Sequence, residues 1–285
     1  MDQSDRTEPE SFYDEYGERE WERLDRDFFH RLEWEGTIDR LEAHLPPASG
    51  SDAPRVLDIG GGAGRYSVWL ARRGYKVTLA EPSETQRTIA REKIPERDVE
   101  EAATVVDGDV RDLAFDDDAF DATCCLGGPL SHVLDADERR RAARELKRVT
   151  NPGEPVFVSV MGLLGIVLIT AQYAGRDEEP LDPSLLPAIV REGDHTGDLV
   201  RSRGTEPTLF DCHFFRRDEL EALLSDAGLA VETIVALEGV AATRRTRFDD
   251  LTAADRDAIR EVNDLLRTDR SVADLSPHML AVCRA

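Results

Sequence analysis

The stretch "VLDIGGGAGRYS", Val56 to Ser67, places four glycines within five positions directly after an apolar run that ends in one carboxylate, Asp58. An apolar strand that runs into glycines and then into a helix builds a ligand loop, because the backbone can approach closely and the helix N-terminus faces the guest. Two nucleotide-site patterns fail here on spacing. A phosphate-binding loop needs Gly-Lys-Ser/Thr, and Gly64 is followed by Arg65 and Tyr66. The dinucleotide fingerprint Gly-x-Gly-x-x-Gly puts Arg65 at its third glycine when counted from Gly60, and Ser67 when counted from Gly62. That spacing disfavours a nicotinamide-dependent dehydrogenase. What remains is Asp-x-Gly-x-Gly-x-Gly, carried by Asp58, Gly60, Gly62 and Gly64.

Working outward, short apolar runs alternate with helical patterns. Residues 55–59, 76–81, 103–109, 120–126 and 154–160 read as strands. Between them lie segments whose apolar residues recur at helical spacing, and Ser83 with Gln86 and Asp135 with Glu138 mark two helix starts. The expectation is an α/β fold: a Rossmann-like, seven-stranded, mostly parallel sheet with helices on both faces. Ligands in such sheets bind at the carboxyl ends of the strands. Before the sheet, residues 1–48 carry a helical pattern that Gly17 and Gly36 divide into three helices. After the fifth strand the alternation lapses over 162–211, which reads as an inserted lid over the upper edge of the sheet. The pattern resumes in 212–285 with a helix stopped by Gly228 and two more strands, so the chain reads as one domain with its cofactor core at 53–161.

The glycine loop and the strand-end motifs after it resemble those of the class I S-adenosylmethionine-dependent methyltransferases, most strongly over 55–160. The resemblance implies S-adenosyl-L-methionine as cofactor, with Gly60 and Gly62 leaving room for its methionine part. Glu81, at the end of the second strand, then accepts hydrogen bonds from both ribose hydroxyls, and Pro82 and Ser83 line the adenine side. In "DGDVRDL" the Asp109 carboxylate accepts from the adenine amino group and the Val110 backbone N–H meets a ring nitrogen. Leu126 and Gly127, after the fourth strand, border the methionine part. The implied reaction is methyl transfer to an O, N or C nucleophile of a small molecule. The competing reading is a noncatalytic cofactor-binding regulator or partner protein, which would be expected to lose its lid.

A sulfonium makes its methyl group electrophilic, so holding a nucleophile in line can supply most of the rate, and a general base is needed only when that nucleophile arrives protonated. Candidates on the acceptor side are Tyr16 among the N-terminal aromatics Tyr13, Tyr16 and Trp21, together with His132 in "LGGPLSH" and His213 in "DCHFF". His195 reads as a surface loop residue. The histidines show no metal-ligand spacing, and no metal is expected. Where base-modifying relatives carry Asn/Asp-Pro-Pro-aromatic, this chain has Gly127, Gly128, Pro129 and Leu130, and it has no basic patch, so no nucleic-acid partner is expected.

Composition bounds the setting. The 59 acidic residues outnumber 36 basic ones for a formal charge of −23, and the lysines are Lys76, Lys93 and Lys147 alone. Acids interleaved with apolar residues describe an ordered acidic surface, as expected of a halophilic cytoplasmic protein. Cys124, Cys125, Cys212 and Cys283 lack paired spacing and read as buried free thiols, and no secretory leader is read at the start. The apolar run 156–171 is too short for a membrane span and reads as a buried strand entering an apolar segment.

Overall fold

In the computed structural model, residues 7–48, 53–175, 181–244 and 251–285 are described. The chain enters through helices α1 (Pro9–Tyr16), α2 (Arg19–Glu22) and α3 (Phe28–His44). Gly36 does not end a helix: it lies inside α3, where a Cβ would come 3.2 Å from Leu237, so the residue permits close packing rather than a break. Asp27 starts α3 by accepting from the His30 backbone N–H at 3.0 Å.

The strands and helices then alternate: β1 (Arg55–Ile59), α4 (Arg65–Ala71), β2 (Lys76–Ala80), α5 (Glu84–Lys93), β3 (Ala103–Val106), β4 (Ala122–Cys125), α6 (Ala136–Val149) and β5 (Pro155–Met161). Both expected helix starts hold: the Ser83 hydroxyl accepts from the Gln86 N–H at 3.1 Å, and Asp135 accepts from Asp137 and Glu138. Residues 162–211, read as irregular, form the apolar helix α7 (Leu163–Tyr173), then α8 (Leu186–Glu192), β6 (Asp194–His195) and α9 (Gly197–Arg201). Next come β7 (Cys212–His213), α10 (Arg217–Asp226), β8 (Ala230–Ala236), α11 (Ala253–Leu266), α12 (Arg270–Asp274) and β9 (His278–Arg284).

The main sheet has seven strands in the order β3-β2-β1-β4-β5-β9-β8, and β6 pairs with β7 as a separate ribbon. β1 to β5 are mutually parallel, and β9 runs antiparallel to both β5 and β8. The two-residue period of the strands assigns each side chain to a face. Leu57, Ile59, Val156, Val158 and Val160 pack with Ala142, Leu146, Leu220 and Leu224 of α6 and α10. Val56 and Phe157 pack with Leu41, Val68 and Leu70 of α3 and α4. Adjacent Cys124 and Cys125 fall on opposite faces, and all four cysteines are free and buried. Among the described residues no helix is long and apolar enough to cross a membrane.

Candidate active site

The strand order reverses between β1 and β4, and a cavity of about 1250 Å³, its open mouth included, lies at their carboxyl ends. Its floor is the glycine loop. Gly60 has φ +66° and a Cβ there would lie 2.4 Å from the Pro129 ring, while Gly62 has φ +52° and a Cβ there would lie 3.4 Å from Glu20 Cγ. The loop therefore needs glycine for its own backbone and packing as well as for a guest. Asp58 does not reach the cavity. It is fully buried beneath the loop, accepts from the Ser67 hydroxyl at 2.6 Å, and burial pushes its pKa up to about 6. Gly64 (φ +87°) likewise lies outside the lining, as the N-cap of α4.

Glu81 stands on one wall. Its Oε2 accepts from the Gly62 N–H and its Oε1 from the Ser83 N–H, both at 3.0 Å, yet burial pushes its pKa up to about 7. Pro82 lines the cavity, whereas Ser83 is buried behind it and donates its hydroxyl to Asp14 of α1 at 2.6 Å. Asp109, Val110, Leu126 and Gly127 complete the expected lining. Asp109 is already engaged, because Arg111 donates from its backbone at 2.8 Å and from its guanidinium. Burial raises the Asp109 pKa, but these hydrogen bonds outweigh it and hold the carboxyl below its ordinary value.

The opposite wall comes from the N-terminal helices, where Tyr13 meets the cavity and Tyr16, the one expected to act on the acceptor, does not. Tyr13 lines the cavity and its hydroxyl lies 3.3 Å from His132 Nε2. Tyr16 points away, stacked on Phe12 with the Arg19 guanidinium 4.6 Å above its ring. Tyr16 is the last residue of α1, one turn beyond Tyr13, and its ring packs back on Phe12 rather than lining the cavity. Phe210 roofs the pair, stacked on Tyr13 and edge-on to His132 at a centroid distance of 4.6 Å. Burial lowers the His132 pKa to about 4 and raises that of Tyr13, so both rings are neutral near pH 7.

His213 is also placed elsewhere. It is buried under the β6–β7 ribbon with Nδ1 2.6 Å from Asp194 and Nε2 2.8 Å from Glu219, which leaves neither ring nitrogen free for a substrate. His195 is not a surface residue but buried in the same ribbon, 3.1 Å from the Phe210 carbonyl. Among the lining residues not expected from sequence are two charged ones that interact: Glu20 on α2 and Arg23 in the 3-10 turn after it. Arg23 donates to Glu20 at 3.2 Å and to both oxygens of Glu33 at 2.7 and 3.0 Å. Their three-residue spacing beside Trp21 and Leu24 was the available signal, since it sets Glu20 and Arg23 on one helical face. Behind Glu33 lie His278 and Glu238, whose ligand-type atoms fall within 4.8 Å of one another. Glu238 already accepts from the Ser276 hydroxyl, the His278 N–H and the His278 ring, so these groups form a buried ion network.

Residues 56–153 match the profile of the methyltransferase-domain family. A demethylmenaquinone methyltransferase of Clavibacter sepedonicus is 34% identical over 119 residues, covering 42% of this chain and 46% of that protein. A cypemycin N-terminal methyltransferase of a Streptomyces species is 30% identical over 171 residues, 59% of this chain and 64% of its own. The crystal structure of an S-adenosylmethionine-dependent methyltransferase from Mesorhizobium loti superimposes with a TM-score of 0.55 at 21% identity, covering 92% of this chain and all of that one. The profile match and the superposition give the chain a methyltransferase-domain core and the fold of S-adenosylmethionine-dependent methyltransferases. The chain spans about half the length or less of the first curated relatives it matches.

The cavity fits S-adenosylmethionine, a nucleoside joined to an amino acid through a sulfonium and free of phosphate. Pro82, Val110 and Val133 offer an apolar slot, Glu81 a carboxylate for sugar hydroxyls, and Glu20 with Arg23 a charged end for an amino acid. The guest's lack of phosphate accounts for a glycine loop without a lysine.

Proposed function

We propose that this protein transfers a methyl group from S-adenosyl-L-methionine to an O, N or C nucleophile of a small molecule. The observation that carries the reading is one cavity with two differently furnished halves. The half at the glycine loop presents Gly60, Gly62, Glu81, Pro82, Asp109, Val110, Leu126 and Gly127. The half under the N-terminal helices presents Tyr13 and His132 beneath Phe210.

In this reading Glu81 accepts the ribose hydroxyls, Val110 and Asp109 meet the adenine edge, and Leu126 and Gly127 border the methionine part. The cofactor supplies the electrophilic methyl. Everything else falls to positioning and to excluding water. Tyr13 and His132 form the acceptor side: the neutral imidazole takes the phenol's hydrogen bond, and together they orient the nucleophile. An imidazole whose pKa sits near 4 is a weak proton sink at neutral pH, so the acceptor arrives deprotonated or loses its proton to solvent. Asp58, Gly64 and Ser83 support the loop, and Tyr16 and His213 are structural. The residues retained under the N-terminal helices favour transfer over a noncatalytic role.

The two named relatives carry different acceptors in their names, demethylmenaquinone and the cypemycin N-terminus, and the proposal accordingly spans O, N and C nucleophiles. The test is incorporation of labelled methyl from S-adenosylmethionine into fractionated small-molecule extracts in high salt. Transfer into one fraction is the expected result. Tight cofactor binding by calorimetry with no transfer into any fraction would turn the assignment toward the noncatalytic reading.

A further inference from the structure

The two loops that frame the apolar slot of the cavity come from neighbouring strands with unequal support. β2 lies inside the sheet, but β3 is at its rim, with a partner on one side only. The ladder between them closes with the Glu81 N–H donating to the Val106 carbonyl at 3.2 Å. Beyond that bond the chain passes the end of β2 so closely that a Cβ on Gly108 would lie 2.9 Å from Ala80 Cβ, and it then supplies Asp109 and Val110 to the lining. Arg111 engages Asp109 within this loop and Arg141 pairs with Asp112 at its far end, so neither joins it to the opposite side of the slot. Arg87 does. It stands on α5 and is buried. Its Nη1 donates to the Glu81 carbonyl at 2.7 Å, to the Pro82 carbonyl at 2.6 Å and to Asp107 Oδ1 at 2.7 Å, while Nη2 pairs with Glu84. One nitrogen thus ties the turn that carries Glu81 and Pro82 to the first residue of the loop that carries Val110. A buried guanidinium requires such acceptors around it, and its charge-assisted bonds in return fix the carbonyls they reach.

We propose that Arg87 is a positioning residue for the nucleoside: by tying the turn after β2 to the loop after β3 it sets the width and register of the slot in which the base lies, and so governs which base is accepted. Arg87 is not itself among the residues that line the cavity. It acts through Pro82 on one wall and through Asp109 and Val110 on the other, whose hydrogen bonds and packing against a base tolerate little displacement. The inference rests on the donor assignment made above, which sets the adenine between them.

Equilibrium binding of S-adenosylhomocysteine and of S-inosylhomocysteine, which differ only at the edge of the base, tests this without turnover. The parent, Arg87→Gln, Arg87→Lys and Asp107→Ala are titrated calorimetrically with each, and thermal melts check that every variant is folded. Asp107 is exposed, so Asp107→Ala opens the bridge from its outer end even where Arg87→Gln does not fold. Arg267→Gln is the control, because Arg267 is also a buried arginine but pairs with Asp39 between α3 and α11, outside the cavity lining. The parent should prefer the amino base by about tenfold or more. Arg87→Gln should weaken S-adenosylhomocysteine by about 10- to 100-fold and bring the preference below about threefold. Asp107→Ala should move both quantities the same way by less, Arg87→Lys should recover part of each, and Arg267→Gln should lower the melting temperature with the parental preference intact. A folded Arg87→Gln or Asp107→Ala that keeps the parental preference would overturn the proposal, since the arginine would then hold the fold and not the slot. So would a parent that binds S-adenosylhomocysteine without distinguishing the two bases. A parent that binds neither ligand would overturn the donor assignment itself, and this inference with it.

Discussion

Glu81 illustrates how one residue can favour ligand and fold at opposite ends of the pH scale. Its pKa rises from 4.5 to about 7 because burial disfavours the charged form. In the free protein the protonated carboxyl therefore adds stability that is fully present below about pH 4.5 and is lost as pH rises through about 7. Sugar hydroxyls prefer the charged acceptor, so ligand binding should release a proton and tighten about tenfold per pH unit up to pH ~7, then level off. Calorimetry with S-adenosylhomocysteine at pH 5.5, 6.5 and 7.5 in buffers of different ionisation enthalpy measures both the affinity and the proton. The acceptor side gives a second prediction. Tyr13→Phe and His132→Ala should lower single-turnover methyl transfer by about 10-fold or more with donor affinity nearly unchanged, as expected for groups that orient a nucleophile. Tyr16→Phe should transfer at the parental rate. Much of the cavity was legible at this scale because glycines and strand-end acids are fixed by local spacing. Glu20 and Arg23 were not, nor which of Tyr13 and Tyr16 lines the cavity, because which side of a short helix meets the cavity depends on how the helix docks.

The N-terminal helices reach the core through a small set of polar contacts whose loss can be measured element by element. Asp14 of α1 accepts from the Ser83 hydroxyl at 2.6 Å and from the Thr85 N–H at 3.2 Å, so a residue of one helix completes the N-terminus of another, α5. Gln86 returns the connection by donating to the carbonyls of Tyr13 and Gly17 at 2.8 and 3.2 Å. Asp14→Ala should loosen α1 and α2 from α5 by about 1–2 kcal/mol. Hydrogen exchange should then speed up over residues 9–25 while β1, β4 and β5 keep their protection; uniform loss of protection would mean that the helices and the sheet open as one unit. Elements were readable where a period or a cap marked them, which covers β1 to β5, α5 and α6. The helices of 162–211 and α11 and α12 were not read, since helix α7 is apolar on most faces and shows no one-sided stripe, and short helices offer few turns to reveal a period. Gly36 misled for a related reason: its packing partner, Leu237, is about two hundred positions away in sequence.

Across the molecule, the acid excess is partly offset by arginine pairs that bridge elements, such as Glu35 with Arg260 and Asp39 with Arg267 between α3 and α11. Far more acids than bases leaves net repulsion over the whole surface, and we propose that the protein is adapted to concentrated salt. Its melting temperature should rise between 0.1 M and 1 M salt as the screening length falls from about 10 Å to about 3 Å. A melting temperature independent of salt would argue against that adaptation. The placement of β9 carries a further consequence. The strand latest in sequence, His278–Arg284, is not at a rim but occupies the gap between β5 and β8. On a ribosome, β1 to β5 emerge well over a hundred residues before it, and β8 emerges before it too. Throughout that interval β5 displays an unpaired ladder of backbone groups, and once β8 has emerged it does so too, with the strand that fills the space between them not yet made. The nascent chain thus passes through a stage with two sticky edges, and its yield in a foreign host should depend on how quickly the final segment is translated and on whether a chaperone holds those edges until it arrives.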